Sequence, residues 1–185
     1  MTLSQNALTT LAAAKTSLKI PEDDSSRDAI LELLIEAMSA AAESYCSRAL
    51  ARRTVSAEPH ELCGHKITLD HYPLVSLGRV VVDGGEIALS CVGTDAQAGI
   101  VKLPSLMQGT ALVDYTAGLC SGPGSAPADI QLAIWKWLEY ALSREGGAAL
   151  TREQLGDYAV SYAEETGAPP PAVRSLLEPY RSERI

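Results

Sequence analysis

One segment, residues 25–50, constrains the fold more than any other part of the chain. Its apolar residues recur every three or four positions, which is the spacing of one face of an α-helix. Ser25 or Ser26 can cap the start of this helix, and Arg48 suits its last turn. The predicted apolar face consists of Ile30, Leu33, Leu34, Ala37, Met38, Ala41, Ala42 and Tyr45, with Asp28, Glu32, Glu36, Ser39, Glu43 and Ser47 opposite. We therefore expect a core helix whose alanine-rich second half lets a neighbour come close.

Three more helices are predicted. Thr9 or Thr10 can cap a short helix near residues 9–18. A helix over residues 127–145 begins at a proline and ends before Gly146-Gly147. We expect it to pack against the helix over residues 25–50. The last helix, near residues 171–178, follows a proline-stiffened stretch and is too short to be stable alone. Residues 166–185 are therefore expected to dock on another surface.

The residue pattern over residues 52–116 predicts a β-sheet. Short runs rich in Val, Ile, Thr and Leu are separated by turn residues. Asp83-Gly84 suits a tight hairpin turn, and turns are also predicted at residues 93–99 and at Gly109. The loop 117–126 is expected to act as a hinge, and residues 158–162 to form one short strand. The predicted fold class is α+β, with a small helical bundle and an inserted, mainly antiparallel sheet in a single domain over residues 1–185.

Charge and composition exclude several classes of protein. The net charge is −8 at pH 7, whereas proteins that grip nucleic acid through its phosphates carry clustered Lys and Arg. The four cysteines lack paired spacing, which favours a reducing compartment over a disulfide framework. The start of the chain does not have the pattern of a signal peptide. No apolar stretch of about 20 residues is present, so no membrane span is expected.

All three histidines lie close to one cysteine in the sequence. His60, Cys63, His65 and His71 have the right chemistry for zinc, which needs three or four converging ligands. Along one strand, however, residues advance by about 3.3 Å each, so convergence would require a sharp bend near Gly64. Partly exposed sheet residues are the favoured interpretation, and a metal-dependent or Cys-dependent hydrolase is the alternative. No cofactor or catalytic residue is predicted.

Residues 8–50 contain a short helix ending in Leu-Lys-Ile, an acidic loop, and a long helix ending in Tyr-x-x-Arg-Ala-Leu. Further short motifs follow in order along nearly the whole chain: Tyr72-Pro73-Leu74-Val75-Ser76, Val82-Asp83-Gly84, Asp114-Tyr115-Thr116-Ala117-Gly118, Pro127-Ala128-Asp129-Ile130, Leu155-Gly156-Asp157-Tyr158 and residues 170–181. The order of these elements resembles that of tailed-phage head–tail connector proteins, also called the adaptor or head-completion family. Each motif alone is weak, and their order carries the resemblance.

The resemblance implies a structural virion protein without catalytic activity. It would be made in the host cytoplasm and form an oligomeric ring, dodecameric in the family, at the neck of the virion. The ring would lie beneath the portal protein and receive a stopper or tail-completion protein on its other side. DNA would pass through its centre without sequence-specific binding, and no membrane would be involved. The alternative within this class is another phage neck or tail-terminator protein.

The resemblance also implies that the C-terminal segment contacts the portal. A stiff, proline-rich approach to a marginal apolar helix is typical of a segment that a partner orders. We therefore predict an intersubunit or portal contact, with packing on the chain's own domain as the alternative. The residues of this predicted contact are Val173, Arg174, Leu176, Leu177, Tyr180 and Arg181.

Overall fold

The computed structural model describes residues 3–145, 152–155, 158–161 and 169–182. The α+β prediction is confirmed: a helical bundle accompanies an antiparallel sheet inserted in its sequence. Within the described residues, each predicted helix is present with slightly narrower bounds. The helices are α1 (Leu11–Ser17), α2 (Asp28–Cys46), α3 (Ala128–Glu145) and α4 (Pro171–Leu177). No helix among the described residues is long and apolar enough to cross a membrane.

The predicted residues at both ends of α2 are wrong. Neither Ser25 nor Ser26 caps the helix, because Arg27 occupies the N-cap position, and its side chain makes no hydrogen bond to the first turn. The Ser26 hydroxyl instead donates to Asp24 Oδ1 at 2.6 Å, which forms a local turn before the helix. The helix ends at Cys46 because Ser47 adopts a left-handed conformation with φ of 51°, and Arg48 therefore lies beyond the last turn.

The buried face of α2 is rotated from the predicted one. The prediction is wrong for Ile30, Leu33 and Ala37, which are exposed, and right for Met38 and Ala42. Ser39, expected on the polar face, is buried, and its hydroxyl accepts a hydrogen bond from Leu8 N at 3.1 Å. The side of α2 that the core uses consists of Leu31, Ile35, Met38, Ser39, Ala42 and Cys46. The helix is apolar over more than half of its circumference, and the described residues bury one side of this apolar surface.

The helices share one apolar core, so the expected pairing of α2 with α3 is confirmed. Ile35 and Ala42 of α2 are fully buried in it, together with Ile134 and Leu138 of α3. Side chains at three- and four-residue spacing on both helices form continuous ridges, which is how two helices pack closely. Helix α2 precedes the inserted sheet in the sequence and α3 follows it, and the two helices pack together as the centre of the bundle.

The sheet consists of β1 (Arg53–Thr68), β2 (Leu74–Val82), β3 (Gly85–Glu86), β4 (Gly93–Asp95) and β5 (Ile100–Ala117). Its order is β1-β5-β2-β3, and β4 pairs with the start of β5. All of these pairings are antiparallel, as predicted. One face of the sheet buries a second apolar core, which includes Leu62, Ile67, Val80, Val101, Val113 and Tyr115. The insertion thus has a core of its own.

Two glycine turns within the sheet have different outcomes. Asp83 and Gly84 have φ of 47° and 82° and form the predicted hairpin turn. The turn predicted at Gly109 is wrong, because Gly109 lies inside β5 with φ of 125°. The Asp83 carboxylate occupies the space where a Cβ of Gly109 would be. Close approach of a neighbouring group, and not a reversal of the chain, requires glycine there.

The chain crosses between bundle and sheet twice, and the two crossings lie side by side. Ala51 and Cys120 form a parallel bridge, and Arg52 N donates to the Cys120 carbonyl at 2.7 Å. The Glu43 carboxylate accepts hydrogen bonds from Leu50 N and Ala51 N, both at 2.8 Å. Residues 118–120, the start of the loop predicted as a hinge, are thus fastened by backbone hydrogen bonds.

The region after α3 is described only in part. The predicted stop at Gly146-Gly147 lies outside the described residues, although α3 does end at Glu145. The strand predicted over residues 158–162 is confirmed for β7 (Tyr158–Ser161). It pairs with β6 (Arg152–Leu155), a strand that the sequence reading missed.

Candidate functional site

The C-terminal segment, residues 169–182, is the candidate site because sequence analysis assigned a partner contact to it. Pro170 is extended, and Pro171 starts α4 at a position where a helix tolerates proline. Val173 and Leu177 are buried in the helical core of the same chain. The segment therefore docks on its own bundle, which was the alternative interpretation for these two residues.

The other predicted contact residues lie at or near the surface. Leu176 and Tyr180 are half-buried and pack against the core, whereas Arg174 and Arg181 are exposed. The Arg174 side chain donates a hydrogen bond to the Pro169 carbonyl at 2.7 Å, which fixes its base against the start of the segment. A partner could reach the two guanidinium groups and the edge of Leu176.

Tyrosines tie the segment to both long helices. Tyr180 OH donates to Asp129 at the start of α3 at 2.8 Å, and Tyr45 OH donates to Glu178 at 2.7 Å. Ser182 N donates to the carbonyl of Cys46, the last residue of α2, at 2.7 Å. These polar contacts bridge elements far apart in the chain, so the segment closes the open end of the helix pair.

Two arginine–aromatic contacts extend this junction to the sheet. The Arg181 guanidinium lies 5.6 Å from the centre of the Tyr45 ring, and Arg48 lies 5.5 Å from that of Tyr72. Tyr72 OH donates to the Ser47 carbonyl at 3.1 Å and also contacts the Ser182 hydroxyl. The sequence does not predict these roles, because it places Tyr45 on the apolar face of α2 and Tyr72 only in a motif shared with the family.

The electrostatics of this site are those of a docked surface and not of a reactive centre. Burial and the hydrogen bond to Asp129 raise the pKa of Tyr180 to about 12. Burial raises the pKa of the Cys46 thiol to about 11, and that of Cys120 likewise to about 11. Both thiols therefore stay protonated at neutral pH, whereas a nucleophilic cysteine needs a lowered pKa.

The raised pKa of Tyr180 predicts an alkaline loss of stability. The pKa of Tyr180 in the folded chain lies above the ordinary tyrosine value of about 10, so its contribution to stability is complete below about pH 10 and is lost as the pH rises towards 12. In Tyr180→Phe, we expect the free energy of unfolding to fall less steeply between pH 9.5 and 11.5 than in the wild type. Urea unfolding followed by circular dichroism at each pH measures this slope. Parallel slopes for the two proteins would contradict the assignment.

The histidine region does not assemble into a metal site. His60 Nε2 lies 2.7 Å from Glu58 Oε1, His71 N donates to Tyr115 OH at 3.2 Å, and Cys63 and His65 are exposed. Across the described residues, no group of three or more His, Cys, Asp or Glu could hold a metal ion. Glu58 instead takes part in a buried hydrogen-bond network with Tyr115 and the backbone of Asp70.

The chain thus combines a two-helix frame, closed by a C-terminal segment, with an inserted sheet. The comparisons with known proteins show which class of protein has this architecture. The sequence profile of the head completion protein family matches residues 7–183. The chain belongs to the head completion protein family, and it is therefore a structural, non-enzymatic protein of virion assembly in the head–tail connector class. The hydrolase alternative is wrong.

Solved structures with the same fold come from gene transfer agent (GTA) particles. One, described as the neck of an empty GTA particle computed with C6 symmetry, has a TM-score of 0.65 at 19% identity, covering 100% of this chain and 95% of that one. A second, from the virion of the native particle, has a TM-score of 0.60 at 19% identity, covering 100% and 94%. A third, from the native neck computed with C12 symmetry, has a TM-score of 0.56 at 18% identity, covering 100% and 97%. A comparison with the curated proteins finds no significant match.

Proposed function

We propose that this protein forms an oligomeric ring in the neck of a virion, between the portal and the stopper or tail-completion protein. The observation that carries the proposal is the family match over residues 7–183, because it spans the bundle, the insertion and the C-terminal segment together. The structurally similar chains come from necks with C6 and C12 symmetry. A ring of twelve copies is compatible with both symmetries, since a twelvefold axis includes a sixfold one.

Passage of DNA through the ring fits the charge of the chain. With a net charge of −8 per copy, a ring of many copies would be acidic as a whole. Such a field repels phosphates and disfavours stable, sequence-specific binding, so DNA could slide through. The channel role therefore needs no base-reading side chains.

The exposed part of the C-terminal segment is the proposed contact with the portal or a neighbouring subunit. Val173 and Leu177 hold the segment on its own bundle, so they act by positioning the outward residues. Arg174 and Arg181 present cations beside the half-buried Leu176, which suits an acidic partner surface with an apolar patch.

Imaging and sizing test the ring itself. We expect mass photometry of the purified chain mixed with its portal protein to show one large species, with twelve copies per portal. Electron cryomicroscopy of the particle neck should then resolve this chain as a continuous ring around DNA. A chain that remains a monomer in the presence of portal, and that is missing from the neck, would rule the proposal out.

Charge reversal tests the portal contact. Removal of everything after Gly167 is a poor test, because it also removes Val173 and Leu177 from the core. Arg174→Glu combined with Arg181→Glu leaves Val173 and Leu177 in place, but it also removes the contacts of Arg174 with Pro169 and of Arg181 with Tyr45 and Glu178. We expect it to weaken portal binding at least about tenfold, the size expected for charged contacts at an interface. An unchanged melting temperature of the free variant checks that the segment stays docked. Titration of portal against the labelled variant measures the affinity.

The matched control is Lys66→Glu combined with Lys102→Glu. These two exposed lysines lie opposite each other in the sheet, so the pair undergoes the same change in charge away from the C-terminal segment. Portal affinity should stay within about twofold of wild type, since surface charges far from an interface act weakly at physiological salt. Equal losses in both double variants would show a general charge effect and refute the assigned contact.

A further inference from the structure

Helix α2 has a second apolar side that stays exposed among the described residues. Ile30 is 40% exposed, Leu33 is 67% exposed, and Ala37 is exposed on the same line. We name these three residues the outer α2 stripe. Leu31 and Ile35, on the other side of the helix, are fully buried. A helix that is apolar on two sides is normally covered on two sides.

The extent of this surface favours a protein partner. From Ile30 to Ala41, which is half-buried, the apolar line runs for about 16 Å at 1.5 Å per residue. Contiguous apolar patches of this kind on soluble proteins mark interaction sites more often than chance exposure. Two acidic residues border the stripe. Glu32 directly precedes Leu33 and Glu36 follows it by three positions, so both lie on the neighbouring side of the helix.

Helix α3 presents a complementary line. Leu132 is 39% exposed, Tyr140 is 38% exposed, and the exposed Lys136 lies between them. The four-residue spacing places these three residues on one side of α3, and we name them the outer α3 stripe. This side is opposite to Ile130, Ile134 and Leu138, which are buried in the bundle. The stripe thus combines apolar area with a central cation.

We propose that the outer α2 stripe of one copy packs against the outer α3 stripe of the next copy around the ring. The inference rests on the proposed ring function and names the surfaces that build it. A closed ring requires two different surfaces on each subunit, each meeting its complement on a neighbour. Apolar side chains would match apolar side chains, and Lys136 of one copy would lie beside the acidic border of the next, where Glu36 also accepts hydrogen bonds from Ser4 N and Ser4 Oγ of its own chain.

The small size of the proposed contact implies weak association between free copies. Each stripe offers only three side chains, whereas stable interfaces usually bury roughly 1,200 Å² or more. Free copies should therefore associate weakly, and a portal that holds many copies close together should complete the ring. Premature ring closure in the absence of a portal is thereby disfavoured.

Substitution of Leu33 tests the outer α2 stripe. We expect Leu33→Asp to raise the concentration at which the ring half-assembles on portal at least tenfold, measured by mass photometry. The melting temperature of the free chain should stay near that of wild type, because Leu33 is mostly exposed. Leu106→Asp is the matched control, since Leu106 is an equally apolar, 79% exposed residue in the sheet, and this variant should assemble normally. Normal assembly of Leu33→Asp, or equal loss in both variants, would overturn the inference.

Cross-linking identifies which surface covers the stripe. In a chain with Cys63→Ser and Cys91→Ser, which removes both exposed thiols, Leu33→Cys and Leu132→Cys are introduced on separate copies. We expect mild oxidation of the assembled mixture to join Leu33→Cys copies to Leu132→Cys copies. Three results would overturn the inference. The first is cross-links only between two Leu33→Cys copies, the second is protection of Leu33→Cys in the free monomer by residues 146–168, and the third is a cross-link to another neck protein.

The same experiment separates the two proposals. If wild-type chain forms rings on portal while the cross-link pattern is wrong, the ring function stands and the stripe pairing falls. If wild-type chain forms no ring with portal, the proposed function fails and the stripe pairing fails with it.

Discussion

Gly118→Ala is expected to destabilise the fold by at least about 3 kcal/mol, because the new Cβ meets backbone that cannot move away. Gly118 has φ of 125°, and its Cβ would lie 2.4 Å from the Ala51 carbonyl oxygen and 2.6 Å from Arg52 Cα. Gly118 N also donates to the Pro73 carbonyl at 2.9 Å. Any shift that relieves the clash therefore disturbs both crossings between bundle and sheet.

Urea unfolding followed by tryptophan fluorescence measures this loss. Gly93→Ala is the matched control, because a Cβ at Gly93 meets nothing closer than 3.6 Å and the residue lies in an exposed strand. It should change the free energy of unfolding by less than about 1 kcal/mol. If Gly118→Ala unfolds at the same urea concentration as Gly93→Ala, the junction is not as tightly packed as described.

Glu58→Ala is expected to cost about 3 kcal/mol, because it leaves several buried groups without a partner. Glu58 is 8% exposed, accepts hydrogen bonds from Tyr115 OH and from Asp70 N at 3.1 Å, and contacts His60 Nε2 at 2.7 Å. Burial, followed by the hydrogen bond to Glu58, raises the pKa of Tyr115. The phenol therefore remains a donor throughout the neutral range and needs its acceptor.

Two further variants make this result specific. Glu61→Ala changes an exposed carboxylate three residues along the same strand and should alter stability by less than about 0.5 kcal/mol. Glu58→Gln keeps one acceptor oxygen for Tyr115 and should fall between the two. Thermal and urea unfolding of the three variants give the comparison. A loss for Glu58→Ala no larger than that for Glu61→Ala would mean that the network contributes nothing to stability.

The sequence predicted the helices well but could not orient α2. The spacing of Ile30, Leu33 and Ala37 is genuine helical periodicity, and so is that of Leu31 and Ile35. With apolar residues over more than half of the circumference, periodicity alone does not say which side faces the core. The partner elements decide that, and Leu8, α3 and α4 lie on the side of Ile35.

Strand lengths were obscured by glycine. β1 and β5 have 16 and 18 residues, whereas most strands have about five or six, so the sequence predicts a turn at Gly109 where β5 in fact continues. Gly109 needs a positive φ and room for the Asp83 carboxylate, which are properties of a long-range contact. The Asp83-Gly84 turn was predictable because its requirement is local.

The sequence identifies the C-terminal segment as the candidate site, but it does not predict the contacts that the segment makes. The apolar spacing of Val173 and Leu177 indicates one side of a helix that packs on something, but it does not name the partner, and both residues are buried in the chain's own core. The contacts of Tyr180 with Asp129 and of Tyr45 with Glu178 join residues 51 and 133 positions apart. No local pattern contains such pairings.

The paired crossings at Ala51 and Cys120 also bear on how this architecture can change over time. The chain leaves the bundle for the sheet and returns from it at one place, so a single hydrogen bond separates the first and last residues of the insertion. A short turn could span that gap, so the whole sheet could be lengthened, trimmed or exchanged while α2 and α3 keep their packing. Particles with different tails could thereby share one frame and differ only in what projects from it.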